Sequence, residues 1–514
     1  MVERDRWSNE QEFLSRVACI PRHGLGLSVD VYDPDLGELV GALGRARLPI
    51  RYLEIFKAHP RALQALRTGL PELPLEYHGE GVWMSQPDWQ TAYPAQAVVE
   101  EAAIHIHTLG ATWFNHECAS KQMVGYSFGT YLPPIFTRES ALVTAEHARW
   151  VQARLDEWFT RHRTFAYRHT PLLLLETPPL TYVRFGDMPY ADFFGLLVQH
   201  SPCGLVLDIG HVWTAFRYRN GTPDRELGAF LEDFLSRFPL ERVVQIHLAG
   251  LAVHSAVPIS TSASIPPLWL DCHAAPVPDI LFELLDRILA HPGLTNLKGV
   301  ALEVDTKPID VIVREFAHFR ERFDWWEKQR PEWNTPEKKG EDTERYIHRS
   351  GMVEENECTE TSCETREVDE LLEGYRWYAE TMIGHRTNKK CKWNGNNIDE
   401  AYLRLYVDHF RPFELLVWGG DLREMFPRTV AMLEARHGSL HDFVAFWFDE
   451  PRPVHGPYDF FLLKVERFVE FVGLALPEAL STALCEAEAL KRGYAMANEE
   501  GGTLVFVGAG QGPP

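Results

Sequence analysis

The sequence predicts an α/β protein, a TIM-like (β/α)8 barrel followed by a smaller, mainly α-helical domain. Three observations predict it. From about residue 24 to 325, short apolar runs alternate with longer stretches whose apolar residues recur at spacings of three and four, as in repeated strand and helix units around a parallel sheet. Seven of the runs end in or beside a His, Asp or Glu, and with the runs ahead of them the strands come to about eight, the count of a closed barrel. From about 373 to 497 the helical spacing returns without strand-like runs.

In chain order, GLGLSVDV near 24–31 and IRYLEIF near 50–56 supply two strands before any ligand-type residue closes a run. The seven runs that follow are LPLEYHG around His78, ATWFNHE around His116, PLLLLE ending at Glu176, CGLVLDIGH with Asp208 and His211, VVQIHLAG around His247, LWLDCHAAP with Asp271 and His273, and GVALEV around Glu303. Between them AQAVVEEAAIHIHTLG, SALVTAEHARWVQARLDEWFTRH, DRELGAFLEDFLSRF, VPDILFELLDRILAH and IDVIVREFAHFRERF read as helices. An open doubly wound sheet would need a Gly-rich phosphate turn after the first strand. GLGLS has neither that spacing nor a ribose-binding acid after it.

The barrel domain is thus placed at 1–325. From 326 to 372 the pattern fails in a polar, acidic stretch unable to bury enough apolar surface to fix itself, and this is read as a linker. The helical domain, 373–514, is carried by EGYRWYAETMI, IDEAYLRLYVDHF, FPRTVAMLEARHG and YDFFLLKVERFVEFVGLALPEALSTALCEAEALKRG. Its tail, GGTLVFVGAGQGPP, reads as one short strand and then disorder.

Composition narrows the function classes. No run of about 18 apolar residues occurs, and MVERDRWSNEQEF is too charged for a signal peptide, so a cytoplasmic protein without membrane attachment is expected. Eight scattered cysteines set no disulfide framework and read mostly as free thiols. A formal charge of −22 argues against nucleic-acid binding, which needs clustered Lys and Arg, while it lets a cation sit among carboxylates.

Singly, each strand-end His, Asp or Glu has a structural reading as a capped, paired or hydrogen-bonded side chain. Together they point to metal chemistry. Alternation along a strand pairs Gln245 with His247 and Asp271 with His273 on one face each. After Asp208, Gly210 is expected to allow a sharp turn that brings His211 back to the mouth. Glu176 ends four leucines and precedes Thr-Pro-Pro, so a buried strand delivers a carboxylate where the chain must leave the sheet, and that charge needs a cationic partner. Imidazole plus carboxylate without thiolate suits iron, manganese or catalytic zinc, and the pooled ligands exceed one ion. No CxxC pair, HExxH or P-loop competes with this set.

HGEGVW, NHECAS followed by YLPPIFT, LLLETPP, GLVLDIGHVW, QIHLAG, DCHAAPV and ALEVD, in this order, resemble the signature of the multinuclear non-haem iron-dependent oxidative enzymes, the family that includes the methanobactin-biosynthesis oxidase. The resemblance covers about residues 24–310. It implies a TIM-like barrel holding two or three irons (Fe2+/Fe3+), with dioxygen as co-substrate and a ribosomally made precursor peptide as partner. A residue of that peptide, Cys first and Asp or Asn after it, would be oxidatively remodelled. The family's ligand positions fall on His78, His116, Glu176, Asp208, His211, His247, Asp271, His273 and Glu303, with Asp208, His211 and Glu176 the expected catalytic positions. This chain departs from the family where Gln245 and Asn115 replace Glu, His211 replaces Asn, and Leu251 replaces a second His. The helical domain is faintly similar to the separate proteins that bring the peptide to many family members, and such a fusion would raise the local peptide concentration. A purely covering or dimer-stabilising appendage is the other reading. RTNKKCKW, from Arg386 to Trp393, is a candidate patch for an acidic leader peptide or a solvated loop. Two other functional readings stay open: a redox-neutral TIM-barrel metalloenzyme resembling sugar isomerases or abasic-site endonucleases, and a peptide-binding module without catalysis.

Overall fold

A computed structural model describes residues 2–162, 170–179, 185–218, 227–253, 269–329, 365–384, 403–404, 406–455 and 458–500. Its strands are β1 (Gly24–Val29), β2 (Leu53–Phe56), β3 (Leu75–His78), β4 (Trp113–Glu117), β5 (Ser120–Met123), β6 (Tyr126–Leu132), β7 (Leu172–Glu176), β8 (Gly204–Asp208), β9 (Val243–Leu248), β10 (Leu251–Val253), β11 (Trp269–Asp271) and β12 (Gly299–Glu303). Eight of them close a barrel in the order β1-β12-β9-β8-β7-β4-β3-β2, every neighbouring pair of known register being parallel. The TIM-like expectation holds.

One predicted strand takes another place. LWLDC forms β11, which pairs antiparallel with β10, Leu251 opposite Asp271, in a two-stranded sheet outside the barrel. A three-residue strand in a returning hairpin has the same apolar alternation as a barrel strand, so pattern alone cannot separate them. A second antiparallel pair, β5 and β6, follows the carboxyl end of β4.

Alternation along the strands sorts two apolar groups. Outward residues such as Leu173, Leu175, Leu205, Leu207, Ile246, Leu248, Val300 and Leu302 pack under the surrounding helices. Inward residues Tyr52, Trp113, Leu172, Leu174, Val206, Val244 and Ala301 fill the lumen, and Phe13, Val17 and Ile20, from the helix Val2–Val17 and just past it, join them. Tyr52 fits because its neighbours are glycines: a Cβ at Gly26 would lie 2.5 Å from its ring and one at Gly299 2.6 Å from its hydroxyl. The lumen is therefore a packed floor, in which the buried His23–Glu76 pair lies against Tyr52 and Trp113, and the ligand-type side chains gather in the layer nearest the strands' carboxyl ends.

The last barrel helix, Ile309–Gln329, runs past the predicted edge at 325, and another helix, Thr365–Met382, begins inside the predicted linker. Residues 330–364, the patch at 386–393 and the tail lie outside the described residues. The later helices include Leu440–Asp449, with a Ser439/Asp442 capping box, and Phe460–Ala475, capped by Asp459. They rest on the β5–β6 side of the mouth. Trp447 Nε1 donates to the Ser127 carbonyl at 2.6 Å, Tyr458 OH lies 3.1 Å from Ser127 Oγ, and the ring of Tyr458 packs edge-on against Trp83. Tyr375 OH accepts from Ile135 N–H at 3.1 Å. Among the described residues no helix is long and apolar enough to cross a membrane.

Candidate metal centre

The inward side chain nearest each strand's carboxyl end faces the mouth, and on six strands it is a ligand-type residue, Glu117 of β4 among them. After the lumen-filling Leu172 and Leu174 comes Glu176; after Val206, Asp208; after Ala301, Glu303. His247 follows Gln245 on β9, and His78 follows Glu76 on β3. Glu176, Asp208, His247 and Glu303 each offer one ligand atom within 4.8 Å of the others, and all four are buried. A second group under the same limit joins Glu117, Glu176 and His211, also buried. Glu176 belongs to both.

Contacts run in a line across the mouth. His78 Nε2 lies 3.2 Å from Glu176 Oε2, and Asn115 Nδ2 donates to that oxygen at 2.7 Å. His247 Nδ1 sits 3.0 Å from Glu176 Oε1 and 3.2 Å from Glu303 Oε1. His273 Nε2 is 3.5 Å from Glu303 Oε2, and its Nδ1 is 2.9 Å from Asp305 Oδ2. His211 rises from the first turn of the helix Ile209–Tyr218, which starts directly after β8, so helix winding replaces the expected sharp turn at Gly210. Asp208 Oδ1 accepts the His211 N–H at 2.6 Å, and His211 Nδ1 donates to the Thr177 carbonyl at 2.5 Å. That bond fixes the proton on Nδ1 and makes Nε2 the basic nitrogen.

Burial and charge oppose each other throughout. Burial alone would raise the Glu176 carboxyl, but His247 and His78 outweigh it and hold it well below the ordinary value. Burial disfavours a charged His247, yet Glu176, Glu303 and Glu54 together raise it well above the ordinary imidazole value. His78 is raised against its own burial by Glu176 and Glu54. Glu303 goes the other way: burial pushes it up to about 7 against the pull of His247 and His273.

Of the nine sequence-predicted ligands, the structure brings Glu176, Asp208, His211, His247 and Glu303 into the two groups, with His78 against Glu176 and His273 at the rim, its side chain 24% exposed. The side chain of Asp271 lies outside the described residues. His116 does not join them. It registers beside Leu175, which packs outward, whereas Asn115 and Glu117 register beside Leu174 and Glu176. Its Nδ1 donates to the Glu117 carbonyl at 2.8 Å, its Nε2 accepts from Val82 N–H at 3.0 Å, and burial pushes it down to about 3, so it stays neutral. Two buried carboxylates of the cluster were missed. Glu117 follows Trp113 and Asn115 on the inner face, and Glu54 follows Tyr52, so counting inward from the aromatic of each strand would have found both. Gln245 sits deeper, its Nε2 donating to Tyr52 OH at 3.2 Å, so its lack of a charge removes nothing from either group.

The donor set fits a cation. Glu54, Glu176 and Glu303 have no Lys or Arg partner among the described residues; imidazoles, an amide, a hydroxyl and an indole face them. Asn115 Oδ1, buried beside Glu176, has no hydrogen-bond partner among the described residues. Carboxylates with few donors, buried together with imidazoles, are what a hard or borderline divalent ion takes.

Comparison with known proteins gives a family match over residues 37–323, to the profile described as RiPP precursor modification enzyme MbnB/TglH/ChrH. A UPF0276 protein of Paraburkholderia phytofirmans is 27% identical over 249 residues, 46% of this chain and 66% of that protein. A UPF0276 protein of Caulobacter vibrioides is 22% identical over 277 residues, 53% of this chain and 85% of that protein. Among solved structures, endonuclease IV from Thermus thermophilus superposes with a TM-score of 0.36 and 20% identity, over 60% of this chain and 100% of that one.

Proposed function

Because the chain belongs to the MbnB/TglH/ChrH family of RiPP precursor modification enzymes, we propose that it oxidises a residue of a ribosomally made precursor peptide, Cys before Asp or Asn, with two irons at the barrel mouth and dioxygen as oxidant. The observation that carries this reading is Glu176, one carboxylate common to both ligand groups. Glu176, Asp208, His247 and Glu303 would hold one ion, and Glu117, Glu176 and His211 the other. Iron bound there would supply the one-electron steps and the site for dioxygen.

The chain's own residues do the placing. His78 and Asn115 fix Glu176 Oε2 from one side, which leaves Oε1 towards His247 and Glu303. Asp208 and the Thr177 carbonyl orient His211. An extended peptide would enter by the rim at His273 and Asp305, whose side chains are 24% and 27% exposed. Lys121, beside Glu80 and over the Tyr131 ring at 4.3 Å, puts a cation near the same mouth. The helical region, seated on Trp83 and Ser127 next to the loops of the site, is proposed to present the peptide to it.

The test is oxygen consumption by protein reconstituted with Fe(II) under anaerobic conditions, then exposed to air with and without a candidate precursor from a neighbouring reading frame. Faster uptake with peptide, together with a mass change on the peptide, supports the reading. Turnover that survives metal removal, or a protein that takes zinc or manganese and leaves dioxygen untouched, ends it in favour of redox-neutral chemistry.

A further inference from the structure

We infer that Glu54, on β2, is a positioning residue for His247: it holds the far side of the imidazole so that Nδ1 faces the cation position at Glu176 and Glu303. This rests on the metal centre proposed above. Three observations meet here. His247 Nε2 lies 2.8 Å from Glu54 Oε1, while Nδ1 of the same ring lies 3.0 Å from Glu176 Oε1 and 3.2 Å from Glu303 Oε1. Both side chains are fully buried. Glu54 is in turn held, with Ser28 Oγ donating to its Oε1 at 3.1 Å and Trp113 Nε1 facing its Oε2 at 3.5 Å.

Glu54 meets the Nε2 edge as a close charge contact off the line of a hydrogen bond, and its negative charge favours the proton on Nε2 and leaves Nδ1 as the nitrogen with a lone pair once a cation replaces the proton there. Its negative charge also raises the basicity of the ligand nitrogen. Carboxylate–imidazole–metal series of this kind keep the ring from turning, and removing the outer carboxylate costs about 10–100-fold in metal affinity. Neither group of metal-ligand candidates includes Glu54. It sits one strand position below the mouth on β2, beside Ser28 of β1.

The experiment uses the full chain and Mn(II) as an EPR-visible probe in equilibrium titrations of wild type, Glu54→Gln, His247→Ala and the double variant. Glu54→Gln keeps volume and shape but removes the charge. We expect about 10–100-fold weaker Mn(II) binding at one of two positions, an unchanged or higher unfolding temperature for the metal-free protein, and no further loss when His247→Ala is added. Ser28→Ala, which only loosens Glu54, should weaken the same position less. A merely structural Glu54 would lower the unfolding temperature on substitution and leave Mn(II) affinity alone. Binding by Glu54→Gln within twofold of wild type, or losses that multiply in the double variant, overturns the inference. Should Glu54→Gln fail to fold, an unaltered affinity in Ser28→Ala overturns it. Wild type that binds Mn(II) yet consumes no dioxygen with peptide defeats the oxidase reading and leaves this one standing, while wild type that binds no divalent ion defeats both.

Discussion

Replacing Glu303 by Gln should make the metal-free protein more stable at neutral and basic pH, by an amount that grows with pH. Burial pushes the Glu303 carboxyl from 4.5 up to about 7 despite His247 and His273. A group whose folded value lies above its unfolded one contributes stability below the unfolded value and loses it as pH rises through the folded one. Charging Glu303 therefore costs little at pH 5, roughly 1 kcal/mol, and about 3 kcal/mol at pH 8, from the rise between 4.5 and about 7 at about 1.36 kcal/mol per pH unit. Glutamine keeps the shape of the protonated acid and carries no charge at any pH. Taking the barrel as a cooperative unit of roughly 300 residues, the unfolding entropy is about 0.6 kcal/mol/K, so the gap at pH 8 corresponds to about 5 °C. The assay is thermal unfolding in chelator at pH 5, 6, 7 and 8 for wild type and Glu303→Gln. A constant offset would only report the difference between amide and acid; the slope carries the argument. If the difference is flat with pH or shrinks towards pH 8, Glu303 is not a strained acid in the metal-free barrel. Added Mn(II) should remove the wild-type deficit at pH 8, because a cation takes the place of the proton.

Metal content by elemental analysis should separate the ligands: Glu176→Ala loses both ions, since both groups share it, while Glu117→Ala or His211→Ala loses one. Gly250→Ala should weaken the rim without unfolding the barrel. A Cβ there would lie 2.0 Å from the Ala275 carbonyl and 2.7 Å from that of Cys272, so the turn carrying His273 must shift, read as weaker Mn(II) binding at an unfolding temperature lowered by a few degrees at most. Trp447→Ala removes a buried indole and its bond to the Ser127 carbonyl, and should cost about 3–5 kcal/mol in the docking of the helical region, seen as faster limited proteolysis after residue 365 with the barrel intact.

The barrel was legible because strand and helix periods differ, and eight of the nine apolar runs read as strands do line the barrel. LWLDC was misplaced because a hairpin strand obeys the same period of two. The β5–β6 hairpin went unread for a different reason: its two-residue turn is Val124-Gly125, with φ of 51° and 81°. Asn-Gly signals that conformation in a sequence, and a β-branched residue with positive φ hides it. At the site, the signal left unused was which residues share a strand face with the aromatic that fills the lumen. His116 drew notice over Glu117, although registering β4 from the lumen-filling Trp113 turns His116 outward and Glu117 inward. Glu54 sits within IRYLEIF, where a lone charge reads as a solvent-facing alternate until Tyr52 is known to fill the lumen.

Charge bears on how many ions the centre takes. Glu54, Glu117, Glu176, Asp208 and Glu303 are five carboxylates, none more than 6% exposed, gathered around one mouth. Each ion moved out of water costs several kcal/mol unless it is paired. In the metal-free protein the compensation is protonic: His247 and His78 are raised, and Glu303 keeps its proton to about 7. That arrangement weakens as pH rises through those values, so the site is best compensated by protons in acid and by cations in base. One divalent ion would displace the proton from His247 and offset two carboxylates, a net gain of one charge over what it removes. Two divalent ions offset four of the five and let the imidazoles be neutral ligands. The remaining charge falls to Glu54, the carboxylate outside both ligand groups, which already faces the Nε2 side of His247 and the donors of Ser28 and Trp113. On the proposed function, two ions sharing Glu176 would offset the charge of this cluster more fully than one, and affinity for the second ion should rise more steeply with pH than a single neutral ligand set would give.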